Sequence, residues 1–446
     1  MRPLQRRARV ESQVSTSRAA RLLAVSALAA LSQLGTPSAQ AVSPPEIDAK
    51  WLPKPALPAP PWPTLQREVC ATMTAGSPPG RNRLSDLVDL PRVWQLTRGA
   101  GQRVAVIDTG VSRHPRLPDV VPAGDYVSTG DGTQDCDAHG TLVAGIIAAA
   151  PDPKADSFSG VAPEATVISI RQSSAKFAPA SDRSRTGVGD VDTMAKAIRT
   201  AADLGASVIN ISSIACVPVA SAPDDRALGA ALAYAVDVKN AVVVAAAGNT
   251  GGAGQCPPQR SDATWQTVTV IVTPAWYGDY VLTVSSVNAD GTPSAFTLAG
   301  PWVDVAATGE VVTALGSEPV SGTSYAAALV SGLAALIRAR FPALTARQVM
   351  QRIESTAHHP PAGWDPVVGN GTIDAFAAVS TDSTPPATTS KPAPPRVPIT
   401  TPPPPKPPDS HARDIALRGG AICLLALVGV LAAGRLRGSR NRVPGD

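Results

Sequence analysis

At 446 residues the chain exceeds one average domain, a length that one large α/β domain with tails accounts for. Charged residues make up only 17% and the formal net charge is +4, with much of the excess positive charge at the two termini. No basic stripe with interleaved aromatics is present, so nucleic acid is not an expected partner.

Residues 1–41 read as a signal peptide. Arg2, Arg6, Arg7, Arg9, Arg18 and Arg21 precede a short apolar core at 22–31, and Ala39-Gln-Ala41 forms an A-x-A cleavage site. The alternative, an uncleaved anchor, has only ten core residues with which to span a bilayer. Residues 42–84 form a proline-rich N-terminal extension with almost no apolar periodicity, so it lacks what a folded inhibitory prodomain needs. A helix is predicted over 84–94, with Leu87, Leu90 and Trp94 on one face.

Arg103-Val-Ala-Val-Ile-Asp108-Thr-Gly110 then reads as a buried parallel strand ending in a carboxylate. Catalytic groups of α/β sheets lie beyond the carboxyl ends of strands, although an Asp followed by Thr-Gly also caps turns. Asp137-Ala-His139-Gly-Thr-Leu-Val-Ala-Gly has the composition of a buried helix with a histidine at its mouth. That place suits proton transfer better than core packing.

Strands are expected at 165–170, 207–212, 241–247 and 280–287, and helices at 193–204 and 226–238. Their alternation predicts an α/β fold with a doubly wound, mostly parallel central sheet and helices on both faces. The strand at 241–247 runs into Gly248-Asn249. Ser321-Gly-Thr-Ser324-Tyr-Ala-Ala-Ala-Leu-Val then enters a helix apolar on nearly all sides, placing Ser324 at its N-terminus. In isolation such a serine is a helix cap.

The order Asp108, His139, Ser324 is one of the convergent orders of the acyl-transfer triad. Ser324 Oγ would attack a carbonyl, His139 would take and return the proton, and Asp108 would hold the imidazole tautomer. The Asn249 amide and the Ser324 backbone N–H would form the oxyanion hole.

Thr345-Ala-Arg-Gln348 is a capping box for a helix over 346–356. His358-His359 beyond its end are read as dipole compensation, not as metal ligands. Asp119, Asp135 and Asp137 lack the ligand rhythm of a calcium loop, so neither metal nor cofactor is expected.

Val-Ile-Asp108-Thr-Gly, His139-Gly-Thr-Leu-Val-Ala-Gly, Ala-Ala-Gly-Asn249 and Gly-Thr-Ser324-Tyr-Ala-Ala resemble, in order, the four signature blocks of subtilisin-like serine proteases, over about residues 85–380. Asp-Tyr-Val-Ser-Thr-Gly130, Asp135-Cys136-Asp-Ala-His139, Ile-Ser-Ile-Arg-Gln-Ser-Ser174, Asn210-Ile-Ser-Ser and Thr-Pro-Ala-Trp276 are similar to the mycosins, membrane-anchored subtilases of type VII secretion systems. The resemblance implies a subtilisin-like serine endopeptidase at 85–380 and an extension that wraps it as an arm. It implies substrate-binding segments containing Ser212, Ser213, Ile214, Ala246, Ala247 and Gly248. Ser213-Ile214 stand where many relatives have glycines, the stretch from Gly316 to Ser321 is shorter than in many mycosins, and Asn370 replaces an aromatic in a family turn.

Cys70, Cys136, Cys216 and Cys256 fall in the exported portion and allow three pairings. No C-x-x-C spacing favours a metal instead. The resemblance implies Cys70–Cys136 and Cys216–Cys256. Residues 381–412 are a proline-rich linker, twelve prolines falling within 381–410. Residues 413–436 form an expected transmembrane helix, and Arg435, Arg437, Arg440 and Arg442 keep the tail at 437–446 in the cytoplasm. The expectation is a single-pass type I protein of the cell membrane with its catalytic domain outside. It would cleave exported proteins beside the subunits of a type VII secretion membrane complex. The alternative is a scaffold stabilising that complex, with proteolysis secondary.

Overall fold

A computed structural model describes residues 42–73 and 88–380, except the single positions 155, 183, 253 and 316. The expected signal peptide, linker, transmembrane helix and tail lie outside the described residues. Among the described residues no helix is long and apolar enough to cross a membrane.

The elements in chain order are β1 (Thr64–Gln66), α1 (Leu90–Val93), β2 (Arg103–Asp108), β3 (Val121–Asp125), α2 (His139–Ala148), β4 (Thr166–Arg171), β5 (Phe177–Pro179) and α3 (Val191–Asp203). They continue with β6 (Val208–Ile211), β7 (Ala215–Pro218), α4 (Arg226–Ala233), β8 (Val242–Ala246), β9 (Val270–Thr273), β10 (Leu282–Val287) and β11 (Val305–Thr308). The last are α5 (Thr323–Arg340), α6 (Ala346–Thr356) and α7 (Ala375–Ser380).

Seven strands form one sheet in the order β11-β10-β8-β6-β2-β4-β3, every neighbouring pair parallel. The unbroken apolar runs of β2 and β8 follow from burial on both faces of such a sheet. From β2 the chain runs to the edge strand β3, returns to β4 beside β2, then crosses to β6 on the other side of β2 and continues outward through β8, β10 and β11. Asp108 therefore ends a central strand at the point where the winding reverses. Helices α2 and α5 pack together on the sheet, and α3 packs against α4. Every residue of α5 from Thr323 to Ile337 is buried, as its composition requires.

The boundaries at β2, β6, β8, β10 and α6 fall within two residues of the expected ones, and Thr345 and Gln348 form the reciprocal capping box. The helix expected over 84–94 is different. Among the described residues it comprises only Leu90–Val93, behind a left-handed Asp89. Pro91 has no N–H to donate and its ring collides with the carbonyl four residues back, so it is tolerated only in a first turn. The helix expected over 226–238 is α-helical only to Ala233, and Tyr234–Val238 form a π-helical turn. Strands β3 and β11 and two small two-stranded sheets, β1-β5 and β7-β9, were not apparent from the pattern.

Residues 42–73 lie along the domain in extended form. Val42 N–H donates to the Trp265 carbonyl at 2.8 Å, Trp51 lies 3.9 Å beneath the Arg226 guanidinium, and β1 pairs antiparallel with β5. Glu68 meets Lys176 at 2.6 Å, and the Ala71 N–H donates to Cys136 at 2.8 Å. Two disulfides are present, Cys70–Cys136 and Cys216–Cys256, the first joining positions 66 residues apart. A closed loop of that length contributes about 4 kcal/mol by chain entropy. Cys70→Ser should free the end of the arm while β1 stays paired. Limited proteolysis should then cut at 67–73 faster than in the unmodified protein, and equal resistance would rule out the staple.

Candidate active site

Three strand or helix ends converge at the carboxyl edge of the sheet. Asp108, fully buried at the end of β2, accepts from the Thr109 N–H at 2.7 Å and lies 2.7 Å from His139 Nδ1 through the same Oδ1. His139 is the first residue of α2, with its side chain about one-third exposed. The helix start can come this close only because residue 140 is glycine. A Cβ there would lie 2.1 Å from the Gly110 carbonyl oxygen.

Burial disfavours the His139 imidazolium, but the charge and hydrogen bond of Asp108 oppose it, with Asp135 and Asp137 adding to them. The net effect holds its pKa above the ordinary value of 6.5. Tyr325, whose ring centroid is 5.5 Å from that of His139, is pushed up to about 12 by burial and by Asp108 and Asp135. Its phenol is therefore neutral at working pH.

Ser324 stands in the first turn of α5, where the backbone N–H groups lack helical partners. Gly322 precedes the helix without a side chain to cap it, and Asn249 does the capping instead. Asn249 Oδ1 accepts from the Thr323 N–H and from Thr323 Oγ1, both at 2.9 Å. Thr323 Oγ1 in turn accepts from the Gly248 N–H at 3.2 Å. With its oxygen fixed, the Asn249 amide must turn its Nδ2 donors the other way, toward the open side over Gly322. Among the described residues no hydrogen bond joins Ser324 to His139, a looseness common in sites without substrate.

Of the expected substrate-binding residues, Ser213 bonds Ser173 Oγ at 2.7 Å, joining two loops at the sheet edge. Ser212 accepts from Asn210 Nδ2 at 2.9 Å, and Asn210 Oδ1 accepts from Ser331 of α5 at 2.9 Å. Ile214 and Cys256 close on the left-handed Gly248, where a Cβ would lie 3.1 and 3.0 Å from them. Ala246 and Ala247, at 1% and 0% exposure, belong to the core and offer no accessible wall. They sit at the end of a strand covered on both faces.

The histidine pair divides. His359 Nδ1 meets the Asn370 carbonyl at 2.8 Å, and His358 faces Asp374 at 3.6 Å. Asn370 is buried and donates through Nδ2 to the Asp304 carbonyl at 3.0 Å. Thr109, Asp135, Thr141, Thr323 and Tyr325 were not singled out as site residues in the sequence. The available signal was that each expected catalytic block is flanked by a small polar residue able to satisfy a helix start.

Residues 99–371 match the Subtilase family. The chain is 71% identical to Mycosin-4 of Mycobacterium tuberculosis (strain ATCC 25618 / H37Rv), covering 97% of this chain and all of that one. It is similar to the solved structure of MycP1 from the ESX-1 type VII secretion system, with a TM-score of 0.73, 42% identity, and coverage of 78% of this chain and 99% of that one. It is also similar to a chain in the structure of an intact ESX-5 inner membrane complex, with a TM-score of 0.72, 41% identity, and coverage of 88% and 100%.

Proposed function

The chain belongs to the subtilase family of serine proteases, and from that premise we propose that it is a mycosin. In this reading it is a membrane-anchored, extracytoplasmic endopeptidase that cleaves exported proteins beside a type VII secretion complex. The observation that carries the chemistry is the 2.7 Å contact from buried Asp108 to His139 Nδ1, with Ser324 held in the first turn of the neighbouring helix.

Ser324 Oγ attacks the scissile carbonyl while His139 Nε2 takes its proton. Asp108 keeps Nδ1 protonated and offsets the imidazolium charge. The tetrahedral oxyanion receives Asn249 Nδ2 and the Ser324 backbone N–H, at the positive end of α5. The proton then passes from His139 to the leaving amine, and water hydrolyses the acyl-enzyme by the same route. The backbone of 212–214 and of Gly248 flanks the residue preceding the cut. Its grip is modified where Ile214 and Ser213 fill space that glycine would leave.

Asn249→Ala should lower kcat by about 10²–10³ with KM nearly unchanged. An unchanged kcat would remove Asn249 from the oxyanion site. The reading as a whole is tested by incubating the membrane-embedded chain with exported proteins from the same cells, beside a Ser324→Ala control. Fragments that depend on Ser324 support an endopeptidase. Intact substrates with loss of the secretion complex on deletion of the chain support the second reading, a scaffold, which the likeness to a chain of the ESX-5 inner membrane complex favours.

A further inference from the structure

One half-buried carboxylate outside the triad, Asp135, is hydrogen-bonded on both sides of the place where Asp108 and His139 meet. Asp135 Oδ1 accepts from Thr109 Oγ1 at 2.8 Å and from the Asp137 N–H at 3.1 Å. Its Oδ2 accepts from the Thr141 N–H at 2.8 Å and from Thr141 Oγ1 at 2.6 Å. Thr109 Oγ1 also accepts from the Gly140 N–H at 2.9 Å, and the Thr109 N–H donates to Asp108.

Helix α2 starts at His139 behind a left-handed Ala138, which has no side chain to cap it. The orphan donors of its first turn, at Gly140 and Thr141, are met by Thr109 and Asp135 instead. These bonds close a ring from Asp108 through Thr109 and Asp135 to the two residues that follow His139.

The geometry points to Asp135 as a positioning residue that locks the start of α2 against the Asp108 turn and so aims the His139 ring at its carboxylate partner. The inference rests on the triad reading above. It assigns Asp135 two effects, alignment and charge. The segment carrying it is anchored on its far side as well. Cys136 is bonded to Cys70, and Asp137 accepts from Ser174 Oγ at 2.5 Å and from the Ala175 N–H at 2.8 Å.

The titratable groups around His139 are Asp108 on β2, Asp135 and Asp137 before α2, and Tyr325 on α5, whose phenol stays neutral. Nearby Lys176 is paired with Glu68, and Arg171 of β4 with Asp125. Removing the charge of Asp135 therefore removes one of the anions that favour the imidazolium. A simple helix cap would not have that effect on the histidine.

The test is Asp135→Asn, assayed in the full chain for kcat and KM across pH, with active sites counted by fluorophosphonate labelling. An amide turns a donor toward the Thr141 or Thr109 donors, so one bond of the ring is lost. The expected result is kcat lower by about ten- to a hundredfold, KM within about twofold, and the acidic limb of kcat/KM moved to lower pH. A wild-type kcat would overturn the proposal, as would a lower kcat with the pH limb unmoved. If the variant does not fold, Thr109→Val and Thr109→Ser decide the matter. Valine removes the relaying hydroxyl and should cost at least about tenfold in kcat, and serine should restore it. Equal activity of the valine variant and the unmodified protein would sink the idea. Failure of the triad reading shows separately, as hydrolysis that survives in Ser324→Ala.

Discussion

Ser324→Ala is expected to lower kcat by about 10⁶-fold, the size of effect seen when the nucleophile of a comparable triad is removed. The fold should not change. Ser324 makes no side-chain hydrogen bond among the described residues, and the start of α5 is capped by Asn249 through Thr323. Alanine suits a helix interior at least as well as serine does. The melting temperature should therefore stay within measurement error while fluorophosphonate labelling vanishes. The residual rate would come from the oxyanion donors and substrate binding alone, and should not respond to further loss of His139. Peptide hydrolysis at the unmodified rate would move the nucleophile elsewhere.

Asp108→Asn should cost about 10⁴-fold in kcat. The carboxylate shares Oδ1 between the Thr109 N–H and His139 Nδ1, and among the described residues Oδ2 has no partner. An asparagine has two ways to fit. With its oxygen in the place of Oδ1, its NH₂ is buried with no acceptor. Flipped, it donates to Nδ1 and forces the proton onto Nε2, where no base remains for Ser324.

The pH profile supplies a second readout. His139 is held above 6.5 mainly against burial by the charge of Asp108, so kcat/KM of the unmodified protein should rise with pH through an apparent value above 6.5. Without that charge the limb moves to lower pH. The same raised pKa gives the folded state a stability increment that is present below pH 6.5 and lost as pH rises through the folded-state value. An Asp108→Asn protein with its kcat intact would remove Asp108 from the triad.

Much of the fold was legible because its strands are buried on both faces. β2 and β8 read as unbroken apolar runs, and α5 reads as a helix with no polar side. The groups around the proposed catalytic atoms were legible for a different reason. A carboxylate at a strand end and a histidine or serine at a helix mouth are costly places for those side chains unless something uses them. What stayed hidden depends on long-range pairing. β11 carries only Val305–Thr308 and is recognisable as a strand only beside β10. β1 has no apolar pattern, and its conformation comes from the backbone of β5. The hydrogen bonds of Asp135 are not legible in the sequence, because its partners Thr109 and Thr141 are brought to it by two separate turns.

The bond from Ser331 to Asn210 bears on how α5 finds its place at all. A helix so rich in alanine and leucine offers the sheet nearly the same surface at many rotations and offsets, and burial alone would hardly distinguish them. Ser331 is the polar group midway along its buried length, and Asn210 on β6 is its acceptor. Rotating the helix, or sliding it by one turn, would strand both groups away from water, a penalty that apolar packing cannot recover. Ser324 lies two turns earlier on the same face, so its position along the sheet edge is metered by a hydrogen bond deep in the core. The accuracy of the outer end of α5 is thus inherited from a vernier mark at its middle.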